Sequence, residues 1–92
     1  MKDLKILRQE IDLIDRQLVA LFEQRMAVTE QVGRYKLANG LPVLDRSREE
    51  QVLASKVDLL QDKTLAADVT DLFEAIMAIS RRQQQALLDA DK

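Results

Sequence analysis

Residues 3–38 read DLKILRQEIDLIDRQLVALFEQRMAVTEQVGRYKLA, and this stretch decides the fold. Leu4, Leu7, Ile11, Ile14, Leu18, Leu21, Val28, Val32 and Tyr35 recur at alternating steps of three and four, which is the apolar seam of one long helix. No proline interrupts it, and Gly33 is its only weak point. Asn39-Gly40 supplies a stop and Pro42 follows just beyond. At ~1.5 Å per residue the helix is on the order of 50 Å long, more than a compact domain of this size spans. It cannot bury that seam against its own shorter partners. A second copy is expected to do so.

Beyond a loop at residues 42–45, a second helix is expected over about 46–61. It opens with either Ser47 and Glu50 as a capping box or Asp45 as the cap. Val52, Leu53, Val57 and Leu60 fall on one side of it. A third helix is expected over about 64–90, with the stripe Leu65, Val69, Leu72, Phe73, Ile76, Met77, Ile79 and Leu87. The fold class is all-α, with one very long, one short and one long helix in a single domain over 1–92.

Composition narrows the chemistry. The 92 residues include two glycines, one proline and few aromatics, as suits a helical chain. A monomer this small would bury only about 60–65% of its unfolded surface, a second reason to expect a homodimer. Net charge is −2, so no global basic field draws the chain to nucleic acid or to a membrane. With no cysteine and no histidine, disulfides, thiolate nucleophiles, the usual zinc ligand sets and the commonest general base are all excluded. Charge alternates with hydrophobe from the second residue, leaving no signal-peptide core and no spanning segment, so a cytoplasmic location is expected.

The breaks in the apolar stripes point to a site. The seam register calls for an apolar residue at 25 and the chain supplies Arg25, a permanent charge that is costly on a buried face unless paired. No acid in the neighbouring turns lies squarely on that face, which makes an anionic ligand the natural partner. Arg25 and Lys36 are eleven residues apart and point within about 20° of each other, with roughly 16 Å of axial rise between them. Thr29 and Val32 complete their line. In the third helix Ser80 and Gln84 interrupt the stripe Phe73, Met77, Leu87, placing a hydroxyl and a carboxamide one turn apart. Arg48 and Glu49 stand beside Asp45 at a helix N-terminus, where backbone N–H groups are free. Arg8 lies about 100° around the helix and roughly 25 Å from Arg25, so it serves the same kind of site only by reaching that of a partner chain.

Taken singly, each position has an ordinary explanation. Arg25 fits a registry device in a coiled-coil seam, Lys36 complements a helix dipole, and Asp45 and Ser47 are plain caps. Arg48-Glu49 suit a solvated pair, Ser80 can bond back to a carbonyl one turn earlier, and Gln84 belongs to a glutamine triplet. Their joint occurrence is what makes a site.

Read together, these blocks resemble the all-helical chorismate mutases over essentially the whole chain. They are Leu7-Arg8-x-x-Ile11-Asp12-x-x-Asp15, Leu21-Phe22-x-x-Arg25, Val32-Gly33-x-x-Lys36, Pro42-Val43-x-Asp45-x-x-Arg48-Glu49 and Ser80-x-x-x-Gln84. The resemblance implies an intertwined homodimer whose two sites each use Arg25, Lys36, Asp45, Arg48, Glu49, Ser80 and Gln84 of one chain and Arg8 of the other. It implies chorismate as substrate, prephenate as product in phenylalanine and tyrosine biosynthesis, and no cofactor or metal. In that scheme Lys36, Gln84, Arg25 and Glu49 carry the catalysis. Arg25 and Arg8 clamp carboxylates, and Lys36 and Gln84 meet the ether oxygen. Glu49 and the backbone near Asp45 take the ring hydroxyl, with Arg48 and Ser80 completing the polar wall.

Two alternatives follow from the same residues. An isochorismate-pyruvate lyase on this scaffold would bind a similar dianion, although the intact Asp45-x-x-Arg48-Glu49 block favours the mutase. A non-catalytic helical dimer regulating another enzyme would be expected to have lost part of the pocket, and none of the eight positions departs from the pattern. A mutase of this kind can also bind a partner enzyme that raises its activity, which the sequence does not identify. From chain length, a built-in domain for control by an aromatic amino acid is not expected.

Overall fold

The structure, a computed structural model, describes residues 1–91. Three α-helices follow one another, α1 (Leu4–Ala38), α2 (Arg46–Leu59) and α3 (Ala66–Ala90), and the described residues contain no strand. None of these helices is long and apolar enough to cross a membrane.

Each helix end has a local cause. Asp3 caps α1 by accepting the Ile6 amide at 2.9 Å. At the other end Gly40 takes φ +65°, the left-handed conformation that glycine adopts without steric cost. The Leu41 amide then reaches the Lys36 carbonyl at 2.8 Å and the Gly40 amide the Leu37 carbonyl at 3.4 Å. This paired closure turns the chain back on itself and brings Val43 beside Lys36.

Asp45, not Ser47, caps α2, with its carboxylate accepting the Arg48 amide at 3.0 Å. The cap thereby consumes one oxygen of a residue that the sequence places in the site. α2 stops at Leu59, short of the expected residue 61, because Lys63 folds back to donate to the Val57 and Asp58 carbonyls at 3.0 and 2.8 Å. Residues 63–65 form a short 3₁₀ turn rather than the first turn of α3, capped by Asp62. The Thr64 hydroxyl and then the Thr64 amide hold the exposed Asp62 carboxyl below its usual value. A carboxyl held low in the folded chain stabilises it above the ordinary carboxylate range, and that contribution fades as pH falls through the folded value.

α3 packs against both other helices. Its bonds to α1 pair Arg25 with Ser80 and Thr29 with Gln83, so the two run in the same sense there. Against α2 it runs the opposite way, pairing Glu49 with Arg81 and placing the Lys56 ammonium over the Phe73 ring. Gly33 is the one buried residue of α1. A Cβ there would meet Gln84 Cγ and Leu87 Cδ1, both at 2.9 Å. The glycine read as a weak point is where Gln84 and Leu87 of α3 press against α1. Gly33→Ala should gain ~0.5–1 kcal/mol of helix propensity and lose ~1–3 kcal/mol to overpacking. A lower urea midpoint is expected, and an unchanged or higher one would mean that Gln84 and Leu87 yield freely.

The chain is elongated, 57 × 25 × 14 Å. Among the described residues only Val52 and Met77 of the large apolar side chains are buried, and none is fully so. All nine seam residues of α1 remain 40–65% exposed. The buried polar side chains Ser80 and Gln84 sit beside Met77 and Val52, so the best-packed part of the molecule is the wall of a cavity.

Candidate functional site

A cavity of ≈ 300 Å³ lies where α1, the start of α2 and α3 meet. α1 lines it with Arg25, Thr29 and Lys36, the first turn of α2 and its cap with Asp45, Arg48 and Glu49, and α3 with Ser80, Arg81 and Gln84. Val28, Val32, Val43, Val52 and Met77 supply apolar wall. Seven of the eight residues singled out in the sequence thus line one cavity of small-molecule size. Arg8 does not; it is exposed in the N-terminal half of α1, well away from the opening.

Arg25 is half-buried and donates through Nη1 to Ser80 Oγ at 3.1 Å, while the Ser80 hydroxyl donates to the Ile76 carbonyl at 3.0 Å. Both explanations of Ser80 therefore hold: it bonds back within its helix and also orients the guanidinium. Lys36 Nζ donates to the Val43 carbonyl at 2.8 Å, a contact made available by the turn at Gly40. One of the three ammonium donors is thereby used, and the other two are left.

Gln84 is only 7% exposed. Its Nε2 donates to the Thr29 carbonyl at 3.2 Å. Its Oε1 is buried without any hydrogen-bond partner, the only such side-chain atom among the described residues. An unpaired buried acceptor costs about 1–3 kcal/mol, so the amide is a group kept at a cost to the folded chain. Swapping its nitrogen and oxygen would set two acceptors face to face at Thr29, so the orientation is fixed by the backbone.

The charges around the cavity are not balanced. Four cations, Arg25, Lys36, Arg48 and Arg81, face two carboxylates, Asp45 and Glu49, an excess of two positive charges. Of the four, only Arg81 has an acidic partner among the described residues, in an ion pair with Glu49. A wall with three cations outside any ion pair and a net excess of two positive charges can attract an anion. Those described residues hold no cluster of acidic side chains suited to a metal ion.

Sequence reasoning missed two residues. Arg81 sits at the i+4 position from Met77 and three before Gln84, so its charge interrupts the same stripe and the signal was present. Gln83, hidden in the triplet, donates through Nε2 to the Met26 carbonyl at 2.8 Å and accepts from the Thr29 hydroxyl at 2.7 Å. It fastens α3 to α1 directly beside Gln84.

Residues 7–85 match chorismate mutase type II. The chain is 36% identical over 90 residues to the T-protein of Haemophilus influenzae, covering 94% of this chain and 22% of that protein. It is 37% identical over 83 residues to the bifunctional chorismate mutase/prephenate dehydratase of Escherichia coli, covering 89% of this chain and 22% of the relative. It therefore spans less than a quarter of the length of these relatives. Among solved structures it resembles a conserved hypothetical protein from Pyrococcus furiosus, with a TM-score of 0.73 and 36% identity over 88% of this chain and 93% of that one. The chain belongs to the chorismate mutase type II family.

Proposed function

We propose that this chain converts chorismate to prephenate and works as a homodimer. The observation that carries the proposal is the cavity itself, which presents an excess of two positive charges to a ligand that is a dicarboxylate. The reaction is an intramolecular [3,3] rearrangement: the ether C–O bond breaks as a C–C bond forms, with no redox change and no obligatory proton transfer. A site without histidine or cysteine is sufficient for it.

The protein's work is then to hold the compact, chair-like conformer and to stabilise charge growing on the ether oxygen. Arg25, already oriented by Ser80, clamps one carboxylate. The two free donors of Lys36 reach a carboxylate and the ether oxygen, and the second N–H of Gln84 points its dipole at the same oxygen. Glu49 and the backbone near Asp45 accept the ring hydroxyl, while Arg48 closes the rim. Arg8 of a second copy supplies the remaining clamp. The uncovered seam of α1 supports that part, since nine apolar side chains in a row would otherwise face water.

Because Gln84 donates without having to be protonated, kcat is expected to stay nearly flat from mildly acidic to neutral pH. A steep fall in kcat on mild acidification, in protein that remains folded, would count against this role. The function itself is tested by incubating purified protein with chorismate and identifying the product. Prephenate supports the proposal, and unchanged chorismate overturns it.

A further inference from the structure

Arg81 follows Ser80 on α3 and lines the cavity, and its Nη1 pairs with Glu49 Oε1 across the gap between α3 and α2. The two side chains are 37% and 23% exposed, so the pair is only partly screened by solvent. Asp45, the other acid of the wall, has one carboxylate oxygen engaged by the Arg48 amide at the helix N-terminus. Glu49 is the wall carboxylate that is paired with a cation, and without that partner its charge would oppose an incoming dianion.

We infer that Arg81 is a positioning residue for Glu49: it fixes Oε1, leaves Oε2 free to accept a ligand hydroxyl, and cancels the carboxylate charge so that the cavity still accepts a dicarboxylate. The inference rests on the proposed binding of chorismate. Without Arg81, the cations Arg25, Lys36 and Arg48 would face Asp45 and an uncompensated Glu49, halving the positive excess. The hydroxyl and the ligand charge are present in both ground and transition states, so the loss falls on KM rather than on kcat.

The experiment measures KM, kcat and thermal midpoint for wild type, Arg81→Met, Arg81→Lys, Glu49→Gln and the double variant Arg81→Met/Glu49→Gln. Arg81→Met should raise KM ~10-fold with kcat within ~3-fold of wild type, and Arg81→Lys should recover most of the KM by restoring the charge. In the Glu49→Gln background the same Arg81→Met change should raise KM distinctly less than in wild type, since no carboxylate is left to position and only the loss of one cation remains. An equal rise in both backgrounds, or an unchanged KM in Arg81→Met, overturns the inference. A drop in thermal midpoint with KM unmoved does the same, leaving the pair a structural brace. Arg81→Gln carries the comparison if the methionine variant does not fold. A wild type that leaves chorismate unchanged overturns the proposed substrate and this inference with it; turnover by wild type with additive variants overturns only the role of Arg81.

Discussion

Lys36→Ala is expected to lower kcat by ~10²–10³, the usual consequence of deleting a donor aimed at developing charge in a water-poor site. The loss is expected at the upper end, because Lys36 contributes a full charge. It is held in place by the Val43 carbonyl, so its ammonium pays little reorganisation when the ether bond begins to break. Binding should weaken as well, since in the proposed mode one of the two free donors also meets a carboxylate. Stability should change little, because Lys36 is in the last turn of α1 and only half-buried. Steady-state kinetics on the variant decide the matter: a normal kcat with only a raised KM would reduce Lys36 to a carboxylate anchor.

Arg25→Leu should separate activity from stability more sharply. The substitution restores the apolar register of α1 and removes a half-buried cation that has no acidic partner. Replacing such a charge by a well-packed hydrophobe is often neutral or stabilising by about 1 kcal/mol or more. Ser80 loses its donor but keeps its own bond to the Ile76 carbonyl, so no buried hydroxyl hydrogen is orphaned. kcat/KM should nevertheless fall by ~10³, as one oriented carboxylate clamp disappears. The expected result is an unchanged or raised thermal midpoint beside a nearly inactive protein. A variant as active as wild type would make Arg25 a registry device of the seam.

What the sequence showed and what it hid follow from the same physics. Period alone carried the long helix, since nine apolar residues at three- and four-residue steps admit no other element. Arg25 and Lys36 were legible because each breaks or closes that line. Helix ends were less so: Asp45 and Ser47 both satisfy the cap chemistry, and only the backbone geometry selects Asp45. The 3₁₀ turn at residues 63–65 depends on Asp62 and on Lys63 folding back to α2, contacts that no periodicity records. Gly33 looked like a defect because its value lies in the third dimension, where Gln84 and Leu87 press against it. Arg81 interrupts the Met77–Gln84 stripe, but its task shows only when Glu49 is brought opposite. Gln83 and Gln84 differ in nothing but their facing, so the triplet that yielded Gln84 concealed the separate task of Gln83.

Whether the cations around this cavity hold and rearrange a dicarboxylate is decided by following the ultraviolet absorbance of chorismate with wild type and Arg25→Leu side by side and identifying the product. Loss of chorismate with formation of prephenate by wild type, and almost none by a folded Arg25→Leu protein, is the result expected. Folded wild type that leaves chorismate untouched would contradict the account, and release of pyruvate from isochorismate by the same protein would assign the cavity to the lyase reaction instead.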